Sequence, residues 1–69
     1  MVNLELYRIF KVVAEQENIT NASKILNISQ PAVTKHIQNL EETLGIKLFE
    51  RTNKGLILTD NGKQIYDEI

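Results

Sequence analysis

The chain has 69 residues, 42% of them hydrophobic and 25% charged, with 8 basic against 9 acidic side chains and a formal net charge of -1. That length allows one small, marginally stable domain and argues against a roomy catalytic cleft. No apolar run approaches the roughly 20 residues that cross a bilayer, the opening MVNLELYRIFK lacks the unbroken stretch of a secretion signal, and the absence of cysteine removes disulfide frameworks and thiolate metal sites, so a cytoplasmic protein is expected.

From Leu4 to about Glu17, the residues Leu6, Phe10, Val13 and Ala14 recur at helical spacing, with Asn3 as the expected cap. Asn18 breaks the pattern. Thr20 is the expected cap of a second, short helix that runs to about Leu26 and turns Ala22, Ile25 and Leu26 inward. Asn27 follows, a residue that enters the left-handed region cheaply, so a sharp turn is expected there. Ala22 and Ser23 are small enough to let two helices cross closely.

Ser29 restarts a helix as its cap, and Pro31 falls in the first turn, where a missing amide hydrogen matters little. Stepping 100° per residue, Val33, Ile37, Leu40 and Leu44 form one stripe. Pro31, Lys35 and Gln38 lie nearly opposite, with Thr34 and Asn39 beside them. Amides donate and accept at once, a hydroxyl does either, and Lys reaches guanine or phosphate, so this face suits base edges in a major groove. Gly45 is the expected stop.

Two strand-like runs follow, around Lys47 to Glu50 and Leu56 to Leu58, separated by Thr52, Asn53, Lys54 and Gly55: a hairpin wing. Leu48 or Phe49 should pin it to the helices, and Leu56 and Leu58 should share a face. Thr59 is expected to cap a last helix opened by Asp60 and carrying Ile65, Tyr66 and Ile69 along one side. That helix has no stop signal, as if the pattern belonged to a longer protein.

The string NITNASKILNISQPAVTKHIQNLEETLGIKLFERTNKGLILTDNGK resembles the N-terminal DNA-binding domain of LysR-type transcriptional regulators over almost all of the chain. SQPAVTKHI, LEETLGIKLFERT and LTDNG occur together and in order. The resemblance implies a mainly α fold, a winged helix-turn-helix with a three-helix core, a two-stranded β wing and the start of a C-terminal linker helix. Residues 1–58 would be the DNA-binding domain and 59–69 the beginning of the linker. It further implies that the third helix reads the major groove, that the wing touches backbone or minor groove, and that the last helix pairs two subunits on an inverted-repeat operator. Nothing in the chain corresponds to the family's effector domain. Ser29, Gln30, Pro31, Thr34, Lys35 and Gln38 match the family's recognition-helix positions, and Arg51 matches the arginine of its wing. Ser23 stands where a second alanine is commoner, and Thr34 with Lys35 replaces a common Ser-Arg pair; Lys lacks the planar fork that clasps guanine.

Each candidate also has a plainer reading. Lys35, Gln30 and Gln38 are DNA contacts or a solvated helix surface, and Thr20 and Ser29 are caps whose neighbouring amides can also hold a phosphate. Arg51 enters a groove from the wing tip or pairs with Glu50 or Glu41, and Lys54 is a phosphate contact or an ordinary surface charge. Ile65, Tyr66 and Ile69 are core or dimer seam. Tyr7, Phe10 and Phe49 read as packing residues, His36 as a helix flank, and Glu41-Glu42 invites a salt bridge, such as one with a wing base. No catalytic group, metal or cofactor is expected, because one His with scattered carboxylates makes neither a zinc site nor a triad. The charge of -1 keeps a rival open, a winged helix that docks another protein.

Overall fold

A computed structural model describes residues 4–69, so the Asn3 cap lies outside the described residues. Its elements are α1 (Leu4–Gln16), α2 (Ile19–Leu26), α3 (Gln30–Leu44), β1 (Phe49–Thr52), β2 (Gly55–Leu58) and α4 (Asp60–Glu68). The α1 helix buries Ile9, Phe10 and Val13, and Leu6 and Ala14 pack half-buried at their edge. Ile9 joins the core because it lies four residues before Val13, one turn back on the same side.

After Gln16 the backbone turns through the left-handed region at Glu17, with φ 54°. That turn leaves Asn18 extended, with φ -157° and ψ 122°, and its side-chain oxygen accepts the Asn21 amide at 2.9 Å. Asn18 therefore caps α2, where Thr20 was expected; Thr20 already lies inside the helix, its carbonyl accepting the Ser23 hydroxyl at 2.7 Å. Ile25 also departs from expectation and stays 55% exposed. The inward arc of α2 is centred between Ile19, Ala22, Ser23 and Leu26, and Ile25 sits roughly 110° from that centre at 100° per residue. Ala22 and Ser23 are buried, as a close helix crossing requires. Asn27 is left-handed at φ 58°, and the Ile28 amide reaches the Ser23 carbonyl at 3.1 Å.

Ser29 caps α3, its hydroxyl accepting the Ala32 amide at 3.2 Å, and Gly45 ends it at φ 70°. Val33, Ile37 and Leu40 are buried, with Leu44 packed half-buried against them. Leu48 and Phe49 both reach the core, and the Phe10 and Phe49 rings meet tilted at 5.4 Å between centroids.

The hairpin is antiparallel, pairing Phe49 with Leu58, Glu50 with Ile57, Arg51 with Leu56 and Thr52 with Gly55. Leu56 and Leu58 share the inner face while Ile57 is exposed. β1 begins two residues later than expected because other groups occupy the backbone of Lys47 and Leu48. The Leu48 amide donates to Glu41 Oε2 at 2.8 Å, the Leu48 carbonyl accepts the Thr59 amide at 3.0 Å, and the Lys47 carbonyl accepts the Thr59 hydroxyl at 2.6 Å. Glu41 thus meets a backbone amide where a basic side chain was expected.

Thr59 also caps α4, accepting the Gly62 amide at 3.0 Å. Gly62 is buried so close to the Leu48 carbonyl that a Cβ would overlap the oxygen and press on Leu58 Cδ2. At the other end, Ile65 and Tyr66 pack half-buried against the core, and the Tyr66 hydroxyl donates to Glu15 Oε2 at 2.8 Å. That bond, with some burial and the charges of Glu15 and Asp67, holds the phenol above its ordinary pKa.

Gly62→Ala should lower unfolding stability by about 1–3 kcal/mol in urea titration, since neither the Leu48 backbone nor the helix can retreat; an unchanged midpoint would show that the contact gives way. Because the folded state holds the Tyr66 proton more tightly, its stabilising effect is present below the free phenol's pKa of about 10 and is lost as pH rises through the raised folded value. Tyr66→Phe should therefore lose less stability than the parent when denaturation is followed from neutral to strongly alkaline pH.

Candidate nucleic-acid interface

The surface of α3 follows from its packing. With Val33 at 0%, Leu40 at 1% and Ile37 at 7% exposure, the opposite side must face solvent. Gln30, Pro31, Lys35 and Gln38 are exposed there, and Thr34 is half-buried at the edge nearest the wing. Ser29 is exposed at the start of the helix; its oxygen serves the cap, which leaves the hydroxyl proton to donate outward.

An open cleft of about 650 Å³ runs along this face, bounded by Gln30, Pro31, Thr34, Lys35 and Gln38, with Ile19 of α2 and Arg51 of β1 on the far side. A second, of about 530 Å³, lies between α3 and the wing and is lined by Thr34, Gln38, Glu41, Lys47 and Arg51 among others. A third, of about 440 Å³, separates the start of α2 from the hairpin turn and brings Thr20, Gln30, Arg51 and Lys54 together. Arg51 and Ile19 border all three.

The register explains the place of Arg51. Strand residues alternate faces, so Arg51 shares the inner side with Phe49, Leu56 and Leu58. Its side chain stands beside α3 and not at the tip of the wing, contrary to the sequence reading. The tip is Asn53 and Lys54, whose turn is tied by the Thr52 hydroxyl, donating to the Gly55 carbonyl at 2.9 Å and accepting the Lys54 amide at 3.2 Å.

Charge is not cleanly segregated. Glu42 borders the cleft along α3 and Glu50 the one between α3 and the wing, both exposed, while the Glu41 carboxylate is engaged by the Leu48 amide. His36 lies half-buried on the flank of α3, its Nδ1 covered and without a hydrogen-bond partner. Among the described residues no cluster of His, Asp and Glu is arranged to hold a metal ion, and no helix is long and apolar enough to cross a membrane.

Sequence reasoning missed Asn18, Ile19 and Glu42 as cleft residues, while Asn39 lies beside the polar face of α3 as its spacing predicts. Ile19 lies on the inward arc of α2, so periodicity alone marks it as core; only the approach of the wing shows that one side of it remains open. Ile65 and Tyr66 pack on the core while Ile69 is 50% exposed; Ile65 and Ile69, with Leu4, Tyr7 and Glu68, frame an open, mainly apolar cleft between α1 and α4.

A family model described as "Bacterial regulatory helix-turn-helix protein, lysR family" matches residues 4–63. The chain is 43% identical over 65 residues to the uncharacterized HTH-type transcriptional regulator YbhD of Escherichia coli (strain K12), covering 94% of this chain and 20% of that protein. It is 52% identical over 66 residues to the uncharacterized HTH-type transcriptional regulator YoaU of Bacillus subtilis (strain 168), covering 94% of this chain and 23% of that one. Among solved structures, the crystal structure of the CbnR DBD–DNA complex superposes with a TM-score of 0.91 at 36% identity, over 97% of this chain and 77% of that one. The chain thus spans about a fifth of the length of these curated relatives. With the family model covering nearly the whole chain and the winged helix-turn-helix architecture agreeing with it, the protein belongs to the lysR family of bacterial regulatory helix-turn-helix proteins.

Proposed function

We propose that this chain is the sequence-specific, double-stranded DNA-binding part of a bacterial transcription regulator that works in the cytoplasm and is not an enzyme. One observation carries the reading: the face of α3 bearing Gln30, Thr34, Lys35 and Gln38 stands clear of the core, with Arg51 of the wing across a cleft from it. An exposed helix of this kind fits a major groove, and its amides, hydroxyl and ammonium match the donor and acceptor pattern of base edges. Pro31 fixes the first turn, and Ser29 and Thr20, at the starts of α3 and α2, are placed for phosphate oxygens. Lys54 at the wing tip and Arg51 beneath it supply backbone or minor-groove contacts. The solved CbnR DBD–DNA complex, so similar in fold, supports this assignment.

Affinity per protomer should be modest. Lys35, Lys47, Arg51 and Lys54 are the cations that border the three clefts, alongside Glu41, Glu42 and Glu50, so the salt slope of log K should be no steeper than about -4 per protomer. Two copies on an inverted repeat would restore useful affinity. Residues 1–58 would then bind DNA and 59–69 begin the pairing helix, with Ile69 offering the exposed apolar surface for a partner while Ile65 and Tyr66 mainly hold α4 to its own domain.

Selection of bound duplexes from a random pool should recover a half-site repeated with two-fold symmetry; recovery of no sequence, with binding that ignores salt, would defeat the proposal in favour of a protein-docking module. Lys35→Ala should weaken the selected duplex by roughly 1–3 kcal/mol and relax preference at one base pair, read by titration against single-base variants. A uniform loss across all variants would place Lys35 on phosphate instead.

A further inference from the structure

Gly55 and Glu17 make a contact that neither the helix-turn-helix nor the hairpin requires. The Leu56 amide donates to the Glu17 carbonyl at 3.2 Å, joining the start of β2 to the turn between α1 and α2. Glu17 presents that carbonyl from a left-handed backbone, φ 54°, and Gly55 meets it at φ 126°, so close that a Cβ would overlap the oxygen. Leu56 is the cross-strand partner of Arg51. The joint therefore holds the residue paired directly with the guanidinium that borders all three clefts. Phe49 in the core, half-buried Leu58 and the Glu41 and Thr59 bonds to Leu48 hold the root of the wing, while Leu56, packed half-buried on the core, and the Glu17 joint hold its outer half. Without the joint, the half of the hairpin that carries Arg51 and Lys54 keeps only the packing of Leu56, which lacks the directionality of a hydrogen bond, to set its angle against α3.

We infer that Gly55 is a positioning residue for DNA binding: its lack of a side chain lets the wing seat on the Glu17 carbonyl, and that seat sets where Arg51 stands relative to α3. This rests on the DNA-binding reading above. Gly55 touches no DNA in this account and acts only through Arg51. A merely structural glycine would lower stability and affect every contact alike; a positioning glycine removes the Arg51 contact and leaves that of Lys35.

The test is a double-mutant cycle on the duplex recovered by selection, at a temperature where helical circular dichroism shows each variant folded. Arg51→Ala should weaken binding about tenfold, as loss of a charge-assisted bond does, and lower the salt slope by about 1. Gly55→Ala should do nearly the same in the parent, and add almost nothing in the Arg51→Ala background while remaining additive with Lys35→Ala. Should Gly55→Ala prove too unstable, a synthetic chain with an ester in place of the Leu56 amide deletes the N–H without adding an atom, and the same pattern is expected. A Gly55→Ala loss that persists undiminished without Arg51, or an unchanged salt slope, overturns the inference while leaving the DNA-binding reading intact. Failure of the parent chain to bind any duplex would instead defeat that reading.

Discussion

Burial of Val33, Ile37 and Leu40 fixes the rotation of α3 about its own axis, and everything the protein offers to a partner depends on that rotation. Each buried aliphatic side chain contributes about 1.5–3 kcal/mol, so turning the helix by even one residue would expose several kcal/mol of apolar surface in a domain whose margin is small. Lys35, Gln38 and Gln30 are thereby held outward without a single hydrogen bond of their own doing the holding. The polar face can vary in sequence while its direction stays constant.

The wing is placed by a different kind of force. Its inner face contributes Phe49, Leu56 and Leu58 to the packing, but its angle is set by backbone groups that find partners outside the hairpin. Glu41 takes the Leu48 amide, Thr59 takes both the Leu48 and Lys47 carbonyls, and the Glu17 carbonyl takes the Leu56 amide. Such bonds are directional where apolar contact is not, which suits a two-stranded ribbon too small to be stable alone. Gly62 and Gly55 matter for the same reason: each allows a carbonyl to come nearer than any side chain would permit.

Much of this was readable from residue types. Helical periodicity located α1, α3 and the buried stripe; Asn27, Ser29, Pro31, Gly45 and Thr59 marked turns and ends through their own backbone preferences, and the structure agrees at each. The failures share a cause. Thr20 was an equally good cap by chemistry, but Asn18 took the role because the left-handed turn at Glu17, a residue with no preference for it, set the frame one step earlier. Ile25 matched a helical pattern, yet two small residues decided which arc of α2 could approach its neighbours. Arg51 lies inside β1 and not at the tip because the strand begins and ends two positions later than residue preferences suggest, and two steps along a strand keep it on the inner face with Phe49.

The sequence by itself determined the family, the order of elements and which side of α3 is polar, because these follow from local preferences and from periodicity within one element. Tertiary structure alone decided which residues share a cleft: that Ile19, Thr20 and Gln30 gather around Arg51, that Glu41 serves the wing's backbone, and that a glycine in the hairpin seats on a carbonyl 38 positions earlier in the chain. Those are encounters between elements, set by close packing and by the need of every buried amide for a partner, and no pattern within a single segment encodes them.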